Sequence, residues 1–167
     1  LANAIVLSED AAVLDAVNTQ FNEQRQTLTR QQVLESSCQN ACAILSNSFD
    51  ESVKYINKVA SEHLSLIVDD YQPILEKVRH AGSIFCGPYS PVTLGDYYAG
   101  PNHVLPTEGT ARFASPLGVM DYMKFSSYLS YSKEALEKVQ NDLNLLTEME
   151  GFDGHYNAVL QRLQGES

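Results

Sequence analysis

The sequence predicts an α/β fold in which a parallel sheet with flanking helices is followed by a helical tail. Two observations carry that expectation. Up to Gly87-Pro88, short apolar runs alternate with stretches whose apolar residues have helical spacing. From Ser132 onward, two apolar stripes recur at offsets of three and four. Strands that alternate with helices imply parallel pairing through right-handed crossovers.

Each element has its own signal. Ala4-Ile5-Val6-Leu7 is an apolar run of the buried-strand kind, and Ser8-Glu9-Asp10 supplies capping material for a helix bearing Leu14, Val17 and Phe21. A second helix is centred on Val33, Leu34 and Cys38, and Ala41-Cys42-Ala43-Ile44-Leu45 reads as another buried strand. Asp50 and Glu51 precede a helix carrying Val53, Ile56 and Ala60. A strand over Leu64-Ser65-Leu66-Ile67-Val68, a short helix through Ile74, Leu75 and Val78, and a strand at Ser83-Ile84-Phe85-Cys86 complete this part. The stretch from Gly95 to Phe113 then fits neither strand nor helix, with Gly95, Gly100, Gly109, Pro101 and Pro106 and no apolar period. After it come a helix with the stripe Leu136, Val139, Leu143 and Leu146, a stop at Gly151, and a last helix with Tyr156, Val159, Leu160 and Leu163 inward, for which Asp153 is the expected cap.

Composition narrows the function classes. A chain of 167 residues that is 44% hydrophobic and 19% charged is globular and long enough to build a core. No apolar run approaches the roughly eighteen residues a bilayer span requires. A net charge of −10 repels phosphate backbones and anionic lipid, so neither nucleic acid nor membrane is an expected partner. Three cysteines, Cys38, Cys42 and Cys86, form no disulfide framework and suit a reducing, cytoplasmic setting. The spacing of Cys38 and Cys42 places both on one helix face, as small core residues rather than a metal pair. G-x-G-x-x-G, P-loop, G-x-S-x-G and Cys-x-x-Cys signatures are all absent.

Candidate chemistry rests on the four histidines. His80, beside Lys77 and Arg79, is explained by the favourable end of a short helix. Glu62 and His63 are adjacent at a helix–strand junction and offer two proton-transfer groups, although a dipeptide alone is a weak signal. Asp96 and His103 sit in the glycine- and proline-rich loop, where groups converge readily on one point. They form either half of a mixed nitrogen and oxygen zinc site or part of a self-hydrogen-bonded loop. His155 follows Glu150 by five positions and opens the last helix, whose positive end disfavours imidazolium and keeps the ring available to a metal. Tyr97, Tyr98, Tyr122, Tyr128 and Tyr131 read as core or interface packing.

Three blocks taken together say more than any one of them: Glu62-His63, the loop Gly95-Asp96-Tyr97 with Gly100-Pro101-Asn102-His103-Val104-Leu105-Pro106-Thr107, and Gly151-Phe152-Asp153-Gly154-His155-Tyr156-Asn157-Ala158-Val159. In this order and spacing they resemble the C-terminal part of histidinol dehydrogenase. The resemblance implies a Rossmann-like half-domain over residues 1–128 and a helical, intersubunit arm over 129–167. It further implies zinc-dependent, two-step, NAD-linked oxidation of L-histidinol to L-histidine through an aldehyde, in a homodimer with a shared active site. By position, Glu62 and His63 match the proton-transfer pair, with His63 as base for the alcohol and Glu62 activating water for the aldehyde stage. Asp96 and His155 match zinc ligands, and His63, Asp96, His103, Glu150 and His155 match substrate contacts. The NAD-binding portion, a substrate-contacting Ser, and the Gln and His that complete the zinc shell belong upstream of Leu1 in the family. The chain alone is therefore expected to be inactive, as one piece of an enzyme. The alternative is a non-catalytic binding or regulatory domain that retains a half-site; a zinc hydrolase with Glu62 as base lacks the spacing of two histidines around the glutamate.

Overall fold

A computed structural model of the chain describes residues 3–165. The described residues form two compact units that divide between Tyr122 and Met123. In the first, strand β1 (Ala4–Ser8) pairs in parallel with β2 (Ala41–Leu45), Ala4 opposite Ala41 and Ser8 opposite Leu45. Helix α1 (Ala11–Gln24) starts where Asp10 accepts a hydrogen bond from the Ala12 N–H at 2.8 Å, and it packs against both strands. Helix α2 (Gln31–Cys38) ends at Cys38, whereas Cys42 lies on β2. The two thiols therefore do not share a helix face, because the chain turns into a strand between them.

Helix α3 (Phe49–Val59) is begun by a Ser48-x-x-Glu51 box. The Ser48 hydroxyl accepts from the Glu51 N–H, and the Glu51 carboxylate accepts from the Asn47 N–H at 2.7 Å and from Asn47 Nδ2 at 2.9 Å. The backbone N–H of Asn47, then its side-chain amide, hold the Glu51 carboxyl below the usual carboxylate range. A carboxyl lowered on folding adds stability that is complete above its unfolded value and lost as pH falls through the folded one. Glu51→Gln is thus expected to lower the urea midpoint at neutral pH and to match the parent once the solution is acid enough to protonate the carboxyl. Parallel curves at all pH values would rule this out.

Strand β3 (His63–Leu66) pairs in parallel with β4 (Ser83–Cys86), His63 opposite Ser83 and Leu66 opposite Cys86. The strand expected over 64–68 thus begins and ends earlier. Gly87, at φ +81°, donates to the Leu66 carbonyl and turns the partner away, so Ile67 is left 73% exposed. Helix α4 (Gln72–Lys77) connects the pair. Its C-terminus does not hold His80, which lies beyond the helix; the Asn57 side chain accepts from the backbone N–H groups of Arg79 and His80.

The four strands form two separate two-stranded sheets among the described residues, so the fold is α/β with small parallel sheets in a Rossmann-like arrangement. The buried core is short: Val53, Ala60, Leu66, Phe85 and Ala111. β1 and β2, read as buried strands, keep Ile5 and Leu45 exposed. Parallel strands are apolar throughout because both faces are normally covered, and α1 packs on this pair without enclosing it.

The second unit is a helical hairpin. It follows α5 (Val92–Tyr97), which belongs to the first unit and makes the start of the Gly95–Phe113 stretch helix where loop was expected. α6 (Lys133–Glu150) is capped by Ser132 and closed by Gly151 at φ +73°, and α7 (Asp153–Gln164) packs back on it. Gln140 Nε2 donates to the Tyr156 hydroxyl at 3.0 Å across the pair. Asp153 is the first helical residue rather than the cap; its carboxylate accepts from the Gly154 N–H. Leu136, Val139 and Leu143 and the whole α7 stripe are half-buried, but Leu146 is exposed. The tyrosines read as packing residues, Tyr97, Tyr98, Tyr122, Tyr128 and Tyr131, are all exposed, which removes core packing within the chain as their explanation. Among the described residues no helix is long and apolar enough to cross a membrane.

Candidate functional site

The sheet geometry of β3 and β4 decides which side chains meet. Side chains alternate along a strand, and those in register on neighbouring strands share a face. His63 and Ser65 therefore stand on one face with Ser83 and Phe85, while Leu64 and Leu66 turn to the other with Ile84 and Cys86. The Phe85 ring, 7% exposed, lies 6.0 Å from the His63 ring, centroid to centroid, and tilted by 37°.

Helix α5 lands on that ring. A Cβ at Gly95 would meet Phe85 Cε1 at 2.5 Å, so only glycine allows this approach. The next residue, Asp96, is thereby carried to His63, with Oδ1 3.7 Å from Nε2. That separation exceeds direct hydrogen-bond distance. Both side chains keep about a third of their surface open, 29% for His63 and 31% for Asp96, so solutes reach them. The adjacency was not legible in the sequence, where the two lie in different blocks.

Glu62, half-buried, enters the same region through its backbone: Ser83 N–H donates to the Glu62 carbonyl at 2.9 Å. Gly82 makes that possible. A Cβ there would sit 2.6 Å from Glu62 O and 3.2 Å from Pro106 Cδ. Pro106, buried, thus ties the loop bearing His103 to the start of β3. His103 itself is exposed, next to a turn in which the Asn102 side chain accepts from the Val104 N–H at 2.8 Å. The structure does not bring it into hydrogen-bond contact with His63 or Asp96 among the described residues. Gly82, Phe85 and Gly95 are positioning residues missed by sequence reasoning: each reads as an ordinary strand or loop residue until its neighbour is known.

Glu150 and His155 belong to the second unit. Glu150 ends α6, and His155 lies in the first turn of α7. The His155 ring stacks on Phe152 at 5.1 Å, and the His155 backbone N–H donates to the Phe152 carbonyl.

Among the described residues no three His, Cys, Asp or Glu side chains gather as a metal-binding group. The donor chemistry of Asp96 and of the imidazoles nevertheless suits zinc, which takes oxygen and nitrogen donors and usually four ligands.

The sequence model of the histidinol dehydrogenase family matches residues 1–163. The histidinol dehydrogenase of Halalkalibacterium halodurans is 42% identical over 166 residues, which are 99% of this chain and 39% of that protein. That of Bacillus subtilis is 38% identical over 97% of this chain and 38% of its own length. A crystal structure of histidinol dehydrogenase from Elizabethkingia anophelis superposes with a TM-score of 0.87 at 28% identity, covering 96% of this chain and 37% of the other. The chain spans about two fifths of the length of the curated relatives it matches.

Proposed function

Since the chain belongs to the histidinol dehydrogenase family, we propose that it is the C-terminal part of an L-histidinol dehydrogenase and supplies the proton-transfer side of that active site. The observation that supports this most directly is the approach of Asp96 to His63 at 3.7 Å on the Phe85 face. In the overall reaction L-histidinol, two NAD⁺ and water give L-histidine as its carboxylate, two NADH and three protons. In the first stage His63 Nε2 takes the hydroxyl proton as the carbinol carbon gives up hydride. In the second, the Glu62 carboxylate takes a proton from the water that adds to the aldehyde, and the resulting diol loses the second hydride. Asp96 lies beside His63, with Oδ1 3.7 Å from Nε2.

Asp96 and His155 would hold zinc together with donors from elsewhere in the enzyme, and zinc would supply a Lewis-acid anchor for the imidazole and amine of the substrate. His103 and Glu150 orient the same substrate. Residues 1–128 are assigned to the catalytic domain and 129–167 to an arm that completes the neighbouring subunit's site in a homodimer, in the cytoplasm. NAD would be bound mainly by the N-terminal portion of the enzyme, outside this chain.

The test compares the isolated 167-residue chain with the full-length protein. The full-length protein is expected to form two NADH per L-histidinol and to carry stoichiometric zinc, and the isolated chain to do neither. Turnover of L-histidinol by the isolated chain, or none by the zinc-loaded full-length protein, overturns the reading.

A further inference from the structure

The loop that carries His103 is fastened at a second point, and the fastener is an arginine. Helix α3 ends at Val59, and Ala60 follows in the left-handed region at φ +52°, fully buried, two residues before Glu62. Non-glycine residues rarely adopt that conformation, and the surroundings must hold it. The last carbonyls of a helix lack partners of their own. Arg112 Nη2 donates to one of them, Lys58 O, and Nη1 donates to Gly109 O at 2.7 Å. Gly109, at φ +80°, is where the loop makes room: a Cβ there would collide with Nη1. Ala111, in the same short 3-10 turn (Thr110–Arg112), is buried. The ion pairs of the described residues are His63 with Asp96 and Lys77 with Asp50, so the Arg112 charge is directed at backbone carbonyls instead.

We propose that Arg112 is a positioning residue for the reaction, whose guanidinium clamps the His103 loop to the end of α3 and so fixes it against Glu62 and His63. The loop then meets the α3–β3 junction twice: through Arg112 on Lys58, and through Pro106 beside Gly82 and the Glu62 carbonyl. His103 is three positions from Pro106, so play in the clamp is transmitted to it. A lysine presents one nitrogen where the planar fork reaches two carbonyls, and it does not reproduce the clamp. This proposal rests on the active-site roles given above for Glu62, His63 and His103.

Arg112→Met and Arg112→Lys in the full-length protein separate clamp from scaffold. Both are expected to lower kcat for L-histidinol about tenfold or more while the melting temperature changes little, and KM for NAD⁺ is expected to stay the same. Chymotrypsin cleavage between residues 97 and 113 is expected to accelerate about tenfold, because local opening governs proteolysis. Millimolar guanidinium is expected to restore part of the kcat of Arg112→Ala. A kcat within twofold of the parent with unchanged cleavage overturns the proposal, as does an activity loss that only follows a fall in melting temperature. If the parent protein fails to oxidise L-histidinol, the proposed function falls, and the cleavage rates alone decide whether Arg112 clamps the loop.

Discussion

His63→Asn in the full-length protein is expected to lower kcat for L-histidinol by about two to four orders of magnitude, the usual range for removing a general base. Asparagine keeps a planar polar side chain of similar reach but cannot carry the proton, so the loss should fall on kcat more than on KM. Stability should change little, because the His63 side chain is 29% exposed and Asp96, at 3.7 Å, lies beyond hydrogen-bond distance of it. Steady-state rates and a thermal melt on the same sample check both parts. A kcat within threefold of the parent would remove His63 from the proton-transfer step and leave it as a substrate contact only.

The second large effect lies beneath the site. Phe85→Ala is expected to destabilise the full-length protein by about 3–5 kcal/mol, because it empties the floor on which both His63 and Gly95 rest. Gly95→Ala acts on the same contact from above. Its added methyl has to displace the ring, at about 1–3 kcal/mol for overpacking, and it tilts Asp96 away from His63. Because the two changes share one space, they should not add. The cost of Gly95→Ala in a Phe85→Leu background should be smaller than in the parent, which a double-mutant cycle measured by urea unfolding would show. Strict additivity would mean that α5 is not seated on Phe85.

The legibility of this chain in its sequence varied with the range of the interaction involved. Asp10, Ser132 and Gly151 act on backbone groups within a few residues of themselves, and their roles at helix ends follow from local chemistry. Asp153 looked like a cap and is the first helical residue, a shift of one position that residue type alone does not resolve. Cys38 and Cys42 looked like neighbours on a helix because spacing assumes the helix continues, and the chain turned into β2 between them. The strand over Ile67 and Val68 failed for a different reason: its partner turns away at Gly87, and that information is some twenty positions downstream. The family was recognisable because three blocks occur in fixed order, so each raises the specificity of the others.

The alternation of strands and helices, the ends of most helices, the amphipathic tail and the residue types available for proton transfer and metal binding are all written in the order of the amino acids. All of these depend on side-chain pattern and on contacts within a turn or two of the chain. The placement of Asp96 beside His63, the Phe85 floor under His63 and Gly95, and the need for glycine at 82, 95 and 109, where Glu62 O, the Phe85 ring and the Arg112 guanidinium occupy the space of a Cβ, arise from folding in three dimensions. Those contacts join residues separated by tens of positions. What brings them together is strand register and close packing, which no local pattern encodes.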